Sequence, residues 1–233
     1  MNILITGSGQ GLGCQMAIMA LKRGNKVWAT VHSLAHVSER LSEATNTYAD
    51  KLHILEMDVS SEAGVHKVYE YLEKRNVILD GIINNAAVLL EREKTIENLD
   101  LSAMEESFAV NTIGPMRVIQ KMLPLVYKGN QPVIINISSE AGTIINAFPT
   151  NYPYSMSKTA LNMFTERLRE YLKSSDVFVY AIHPGWMRTN MGGNDAPANP
   201  EDIAIGVLDI MERKKVIYSK IAFIDSTGRP MPL

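Results

Sequence analysis

Tyr154 and Lys158 stand four residues apart in a stretch that reads as helix, Tyr154 to Leu172. Side chains at that spacing share one helical face, which sets the lysine one turn from the phenol. A free tyrosine titrates at about pH 10, too high for ready proton exchange at neutral pH. Lowering it by roughly three units takes about 4 kcal/mol of preferential phenolate stabilisation. One ammonium about 4 Å away supplies that much at an effective dielectric of about 20. The pair can therefore serve as a general acid/base. Ser139 follows an apolar strand expected over Val133 to Ser138 and could bring its hydroxyl to the same point. A phenol that gives or takes a proton, beside a hydroxyl donor, is what reduction of a carbonyl requires. Tyrosine and lysine meet at helical spacing by chance in many proteins, so the weight of the pair depends on what the rest of the chain builds around it.

What it builds first is a phosphate cradle. Ile3-Leu4-Ile5 is a short, wholly apolar run, as expected of a parallel strand buried on both faces. It leads into Thr6-Gly7-Ser8-Gly9-Gln10-Gly11-Leu12-Gly13 and an amphipathic helix to about Arg23, ended by Gly24-Asn25; Val27 to Val31 then forms a second strand. In such a βαβ unit, backbone N–H groups and the helix N-terminus face an anion, and missing Cβ atoms allow close approach. The spacing is not G-x-G-x-x-G, because position 12 is leucine; it is Thr-Gly-x-x-x-Gly-x-Gly, with glycines at 7, 11 and 13. The end of the second strand should choose the dinucleotide, since an acidic residue there holds the ribose hydroxyls of NAD and repels a 2′-phosphate. Here stand His32 and Ser33, with no carboxylate before Glu39. Nothing opposes a phosphate and both residues could donate to one, so NADP is the expected cofactor, with NAD left open because no Arg or Lys stands there.

The alternation continues: a helix over about Leu34 to Asn46, a strand His53 to Met57 ending in Asp58-Val59, a helix Glu62 to Arg75 capped by Ser60 or Ser61, and a strand Ile78 to Ile83 leaving through Asn84-Asn85-Ala86-Ala87. Ligands sit at strand exits on the carboxyl edge of an open parallel sheet, so Asp58 could reach an adenine edge and Asn84 could brace the neighbouring strands. A long helix, about Ser102 to Tyr127, carries Asn111 and Pro115; lacking an N–H, the proline leaves the Asn111 carbonyl without its helical partner and should kink the helix. The apolar loop of residues 140–153, with Ile144, Ile145 and Phe148, could wall a substrate pocket. The strand Val177 to Ile182 leaves through His183-Pro184-Gly185-Trp186, and residues 186–200 read as a lid; a helix near Glu201 to Lys214 and a strand near Ile221 to Ile224 close the chain. The expected architecture is α/β: one doubly wound Rossmann domain over residues 1–233, roughly seven parallel strands with helices on both faces.

Composition fits this and excludes other classes. The 233 residues are 46% hydrophobic, enough for a full core, and the net charge of −2 without a Lys/Arg run offers no footprint for nucleic acid or an anionic membrane. Cys14 is the only cysteine, so no internal disulfide can form and a reducing cytoplasm is expected. Met1 to Thr6 lacks the basic flank and long apolar core of a leader, and no run reaches the length of a membrane span. No metal is invoked.

Thr6-Gly7-x-x-x-Gly11-x-Gly13, Asp58-Val59, Asn84-Asn85-Ala86, Asn111, Ser138-Ser139, Tyr154-x-x-x-Lys158 and Pro184-Gly185-x-x-x-Thr189 occur in the order of the short-chain dehydrogenases/reductases. The chain resembles that family over essentially its whole length. The stretch from His183 to Gly193, followed by Ala196-Pro197, is similar to the sniffer-type carbonyl reductases and C-factor-like proteins. The resemblance implies that Tyr154 is the acid/base, that Lys158 lowers its pKa and holds the nicotinamide ribose, that Ser139 polarises the carbonyl, and that Asn111 holds a water in a relay to Lys158. It implies a cradle of Gly7, Ser8, Gln10, Gly11, Leu12 and Gly13, adenosine contacts from His32, Ser33, Asp58 and Val59, and nicotinamide-side contacts from Asn85, Ala86, Ala87, Pro184, Gly185, Trp186 and Thr189. Ala87 stands where the family usually has glycine, which should loosen the backbone approach slightly. Trp186, Met187, Met191, Ile144 and Phe148 are candidates for the substrate side. A ketone, aldehyde or quinone with apolar substituents is the expected substrate, and a homodimer or homotetramer paired through the two long helices the expected assembly. The alternative is a nucleotide-binding signalling or sensor protein of C-factor type without turnover, against which the intact Asn-Ser-Tyr-Lys set argues.

Overall fold

The computed structural model describes residues 1–233. Ile3 and Ile5 point to one side of the sheet and Leu4 to the other, and all three are fully buried, so this first strand is covered on both faces. Seven strands follow the same logic: β1 (Asn2–Ile5), β2 (Lys26–Val31), β3 (Leu52–Glu56), β4 (Gly81–Asn84), β5 (Val133–Ile137), β6 (Phe178–His183) and β7 (Phe223–Asp225). They pair in the order β3-β2-β1-β4-β5-β6-β7, every pair parallel. The chain winds outward from β1 to β3, then returns to β4 on the other side of β1. That reversal opens a crevice between β1 and β4 at their carboxyl ends.

Two apolar cores enclose the sheet. One packs helices α1 (Gly11–Lys22), α2 (Glu39–Thr47) and α7 (Pro200–Met211) against Ile3, Ile5, Val27 and Ile135. The other packs α3 (Glu62–Glu73), α5 (Gly114–Val126) and α6 (Tyr152–Tyr171) against Leu4, Trp28, Ile82 and Ile134. This is the doubly wound seven-stranded architecture expected from the alternation of elements.

Besides shifts of one to three residues at other element ends, three boundaries differ from expectation. The helix expected over 34–46 is a 3₁₀ turn, Leu34–His36, followed by α2; Val37 and Ser38 between them are extended, so the chain turns a corner. The strand expected from Ile78 pairs only from Gly81, because Leu79 is diverted to the Leu125 carbonyl and Asp80 only enters the sheet, donating to the Asn2 carbonyl of β1. The long helix over 102–127 is interrupted: α4 (Ser102–Phe108) passes through a π turn, Ala109–Ile113, into α5. Pro115 cannot donate to the Asn111 carbonyl, and the helix absorbs the defect by widening over one turn.

Candidate active site

The exits of β1, β4, β5 and β6 surround one cleft of about 1390 Å³. Its floor begins at Gly7, whose φ of +64° a side chain would strain, and whose added Cβ would lie 2.7 Å from the Ala86 Cα. The Thr6 hydroxyl accepts the N–H groups of Asn85 and Ala86, both at 3.0 Å, and so fastens the β4 exit to the β1 exit. The Asn85 amide donates to the carbonyls of Thr6 and Gly7. Asn84 donates to Asn136 on β5 at 2.9 Å, and Asn136 donates to Thr165 on α6, a buried polar ladder that ties β4, β5 and α6 into one block.

The same block delivers Ser139 and Tyr154 to each other. Ser138, just beyond β5, donates to Asn162 on α6 at 2.6 Å. Gly142, in the 3₁₀ turn Glu140–Gly142, approaches α6 so closely that a Cβ would lie 2.8 Å from the Lys158 carbonyl carbon. Lys158 is buried and donates to the Ile137 carbonyl at 2.7 Å, with its ammonium 5.5 Å from the centre of the Tyr154 ring. The two side chains therefore do share a face, and the lysine lies against the phenol ring.

The electrostatics differ from the sequence estimate. Burial dominates at Tyr154 and pushes the phenol above its ordinary value, against opposing effects from the Ser139 hydroxyl and the Arg92 guanidinium. Burial likewise lowers Lys158 to about 7, since no carboxylate compensates it. The lysine thus does not bring the phenol down; the phenol stays protonated at neutral pH.

Most of the expected contact residues line this cleft: Gly7, Gln10, Gly11 and Leu12; His32 and Ser33; Asp58 and Val59; Asn85, Ala86 and Ala87; Ser139, Tyr154 and Lys158; Pro184, Gly185, Trp186 and Thr189. Gly11 has a φ of +55°, and an added Cβ there would find only the Thr189 side chain, 3.7 Å away across the cleft. A glycine turn at a helix N-terminus, open to the cleft with no Cβ atoms in the way, fits a dinucleotide pyrophosphate. Three residues stand elsewhere. Ser8 is fully buried and donates to the Ile5 carbonyl. Gly13 lies behind the turn, where a Cβ would fall 2.3 Å from the Gly7 carbonyl oxygen, so its work is close packing of α1. Asn111 does not line the cleft; its side chain accepts from Val88 N–H and donates to the Val88 carbonyl and the Ser157 hydroxyl.

On the substrate side Phe148, Trp186, Met187 and Met191 line the cleft and Ile144 does not. Sequence reasoning passed over Arg92, Leu89, His36, Asn151 and His183, all of which line it. Arg92 donates to the Met191 carbonyl and so bridges the β4 exit loop to the segment after β6. It sits in an exposed loop with no periodicity to single it out. His183 had a signal: it is the last residue of β6, on the carboxyl edge where ligands bind.

Residues 1–200 match the family model described as short chain dehydrogenase. The chain belongs to that family. Among relatives, an NADP-dependent 3-hydroxy acid dehydrogenase of Schizosaccharomyces pombe is 28% identical, covering 97% of this chain and 93% of its own. The C-signal protein of Myxococcus xanthus is 32% identical over 66% of this chain and 92% of its own. Among solved structures, the carbonyl reductase Sniffer of D. melanogaster superposes with a TM-score of 0.91 at 25% identity, covering 100% of this short-chain dehydrogenase and 99% of Sniffer.

Proposed function

We propose that this oxidoreductase reduces ketones, aldehydes or quinones with apolar substituents, using NADP(H), with Tyr154 as the proton donor. The reading rests on one observation above the rest: Tyr154, Ser139 and Lys158 converge on a cleft whose far end is a glycine turn suited to a pyrophosphate. The nicotinamide would supply the hydride. The Ser139 hydroxyl donates to the carbonyl oxygen, and the protonated Tyr154 phenol passes its proton to that oxygen as charge develops there. Lys158 would hold the nicotinamide ribose, and its ammonium form would stabilise the phenolate left by the transfer until a proton from solvent restores the phenol. Phe148, Trp186, Met187 and Met191 present an apolar wall that favours bulky carbonyl substituents. The absence of an acidic residue at the β2 exit, where His32 and Ser33 line the cleft, supports NADP over NAD, as does the relative from S. pombe.

The C-signal relative favours a second reading, a nucleotide-binding signal protein without turnover. The two separate in one experiment. NADPH and NADH consumption are followed across aromatic ketones, aldehydes and quinones, in parallel with cofactor titration by fluorescence. The catalytic reading expects turnover with NADPH preferred, and a loss of kcat of roughly 10²–10⁴-fold in Tyr154→Phe with cofactor affinity kept. Tight NADPH binding with no consumption across the panel supports the signal reading instead. We further propose a single catalytic domain, paired into dimers or tetramers through α5 and α6, in a reducing cytoplasm; no helix is long and apolar enough to cross a membrane.

A further inference from the structure

His183 ends β6 beside the turn that carries Ser139. Its Nδ1 accepts the Glu140 N–H at 3.0 Å. The Ser139 carbonyl, at the other end of the same peptide group, accepts from Gly142 N–H at 3.0 Å. The Ser139–Glu140 peptide is therefore pinned at both ends, once by its own 3₁₀ turn and once by a ring on another strand. That peptide plane fixes the backbone angle ψ of Ser139, 152°, and with it the direction from which the side chain leaves the chain. The hydroxyl is further set by accepting Ala141 N–H at 3.1 Å, which leaves its proton for a partner in the cleft.

From this geometry we infer that His183 is a positioning residue for Ser139, acting through an imidazole that must keep Nδ1 unprotonated. The neutral ring carries its proton on Nε2, which faces the Glu140 carboxylate at 3.9 Å. A doubly protonated ring has no acceptor to offer, so the Glu140 N–H would lose its partner and the turn its anchor. The groups around the ring are Glu140 from the turn and Asp225 from β7, itself holding Arg229 N–H. Both carboxylates favour the charged ring, yet burial outweighs them and keeps it neutral. The inference rests on Ser139 being the carbonyl donor, and its test separates the two.

The variants are His183→Leu, which removes the acceptor, and His183→Asn, whose Oδ1 can stand where Nδ1 stood and does not titrate. With a ketone accepted by the wild type, His183→Leu should lower kcat by about tenfold or more with the cofactor Kd within twofold, and His183→Asn should restore most of it. The wild-type kcat should fall more steeply on the acid side of neutrality than that of His183→Asn, the Lys158 titration being common to both. In a Ser139→Ala background, His183→Leu should cost almost nothing further, because the group it positions is gone. Unchanged kcat in His183→Leu, equal losses in the leucine and asparagine variants, or an undiminished penalty in the Ser139→Ala background would each overturn the inference. Should the leucine variant fail to fold, the shallower acid limb of His183→Asn still decides, and acid limbs that superimpose would overturn the inference. A Ser139→Ala enzyme with wild-type kcat would instead overturn the role of Ser139 itself.

Discussion

At the residue scale the active-site question is where protons sit. Tyr154 keeps its proton at neutral pH because burial outweighs every charge that would remove it. That state suits a proton donor in carbonyl reduction, whereas oxidation of an alcohol would need the phenolate. Lys158 carries the cost: a lysine lowered from 10.5 to about 7 is one whose charged form the fold disfavours. The sign of the linkage follows. Below pH 7 both the folded and the unfolded lysine are charged and the penalty is fully present. Between pH 7 and 10.5 the folded chain has shed a proton that the unfolded chain still holds, so stability rises with pH. Tyr154 does not offset this, since its raised pKa matters only above the ordinary range of a phenol. Cofactor-free protein should therefore gain about 2 kcal/mol between pH 7 and 9, some 5 °C in Tm as a rough guide. Lys158→Met should be the more stable protein at pH 7 and show a nearly flat melting profile over that window. A wild-type profile as flat as that of the variant would show that the amine is not penalised.

At the element scale, the site is held by side chains that never reach the cleft. Asn111, in the π turn, clamps the β4 exit loop at Val88 and α6 at Ser157, while Thr112 donates to the Ser157 carbonyl at 2.8 Å. Ser157 immediately precedes Lys158, so the π turn fixes the register of the helix that presents both Tyr154 and Lys158. Asn111→Ala removes three hydrogen bonds, one buried and two partly buried, and leaves the Val88 N–H without a partner, a loss of about 2–4 kcal/mol. Denaturant unfolding should show that loss, and kcat should fall with it. A variant with wild-type stability would mean the clamp is not what the residue does. How much of this was legible beforehand divides along physical lines. The strands and helices were, because burial on both faces or one face leaves a period in the sequence. So was a defect at Asn111 and Pro115, because proline lacks an N–H. Its form as a π turn was not, since the distant partners Val88 and Ser157 select how the helix relieves it. For the same reason the cradle implied by the family resemblance took in Ser8 and Gly13, although Ser8 donates to the Ile5 carbonyl on β1 and Gly13 packs α1 against the Gly7 carbonyl.

At the scale of the whole molecule, one surface remains unexplained by the cleft. Along α6, Met156 and Met163 lie seven residues apart on the solvent side and are 50% and 65% exposed, with Tyr171 two turns further on at 71%. Tyr127, at the end of α5, lies next to Tyr171 and is raised by burial and by its neighbour's phenol. Exposed methionines and tyrosines at helical spacing make an adaptable apolar stripe of the kind that pairs with a copy of itself. A two-fold axis across α6 would set each residue of the stripe against its equivalent, so one substitution acts twice. Met163→Glu would place two carboxylates against each other in an apolar contact, at a cost of several kcal/mol (roughly 3 or more), enough to dissociate most dimers at micromolar concentration. The side chain is largely exposed in the single chain, so the fold itself should keep its melting temperature at low protein concentration. Light scattering after size exclusion should find the wild type as a dimer or tetramer and the variant one step smaller. Because Tyr154 and Lys158 occupy the opposite side of the same helix, kcat of the smaller species then reports whether pairing stiffens α6. A wild type that runs as a monomer, or a variant that keeps the wild-type mass, would remove α6 from the interface.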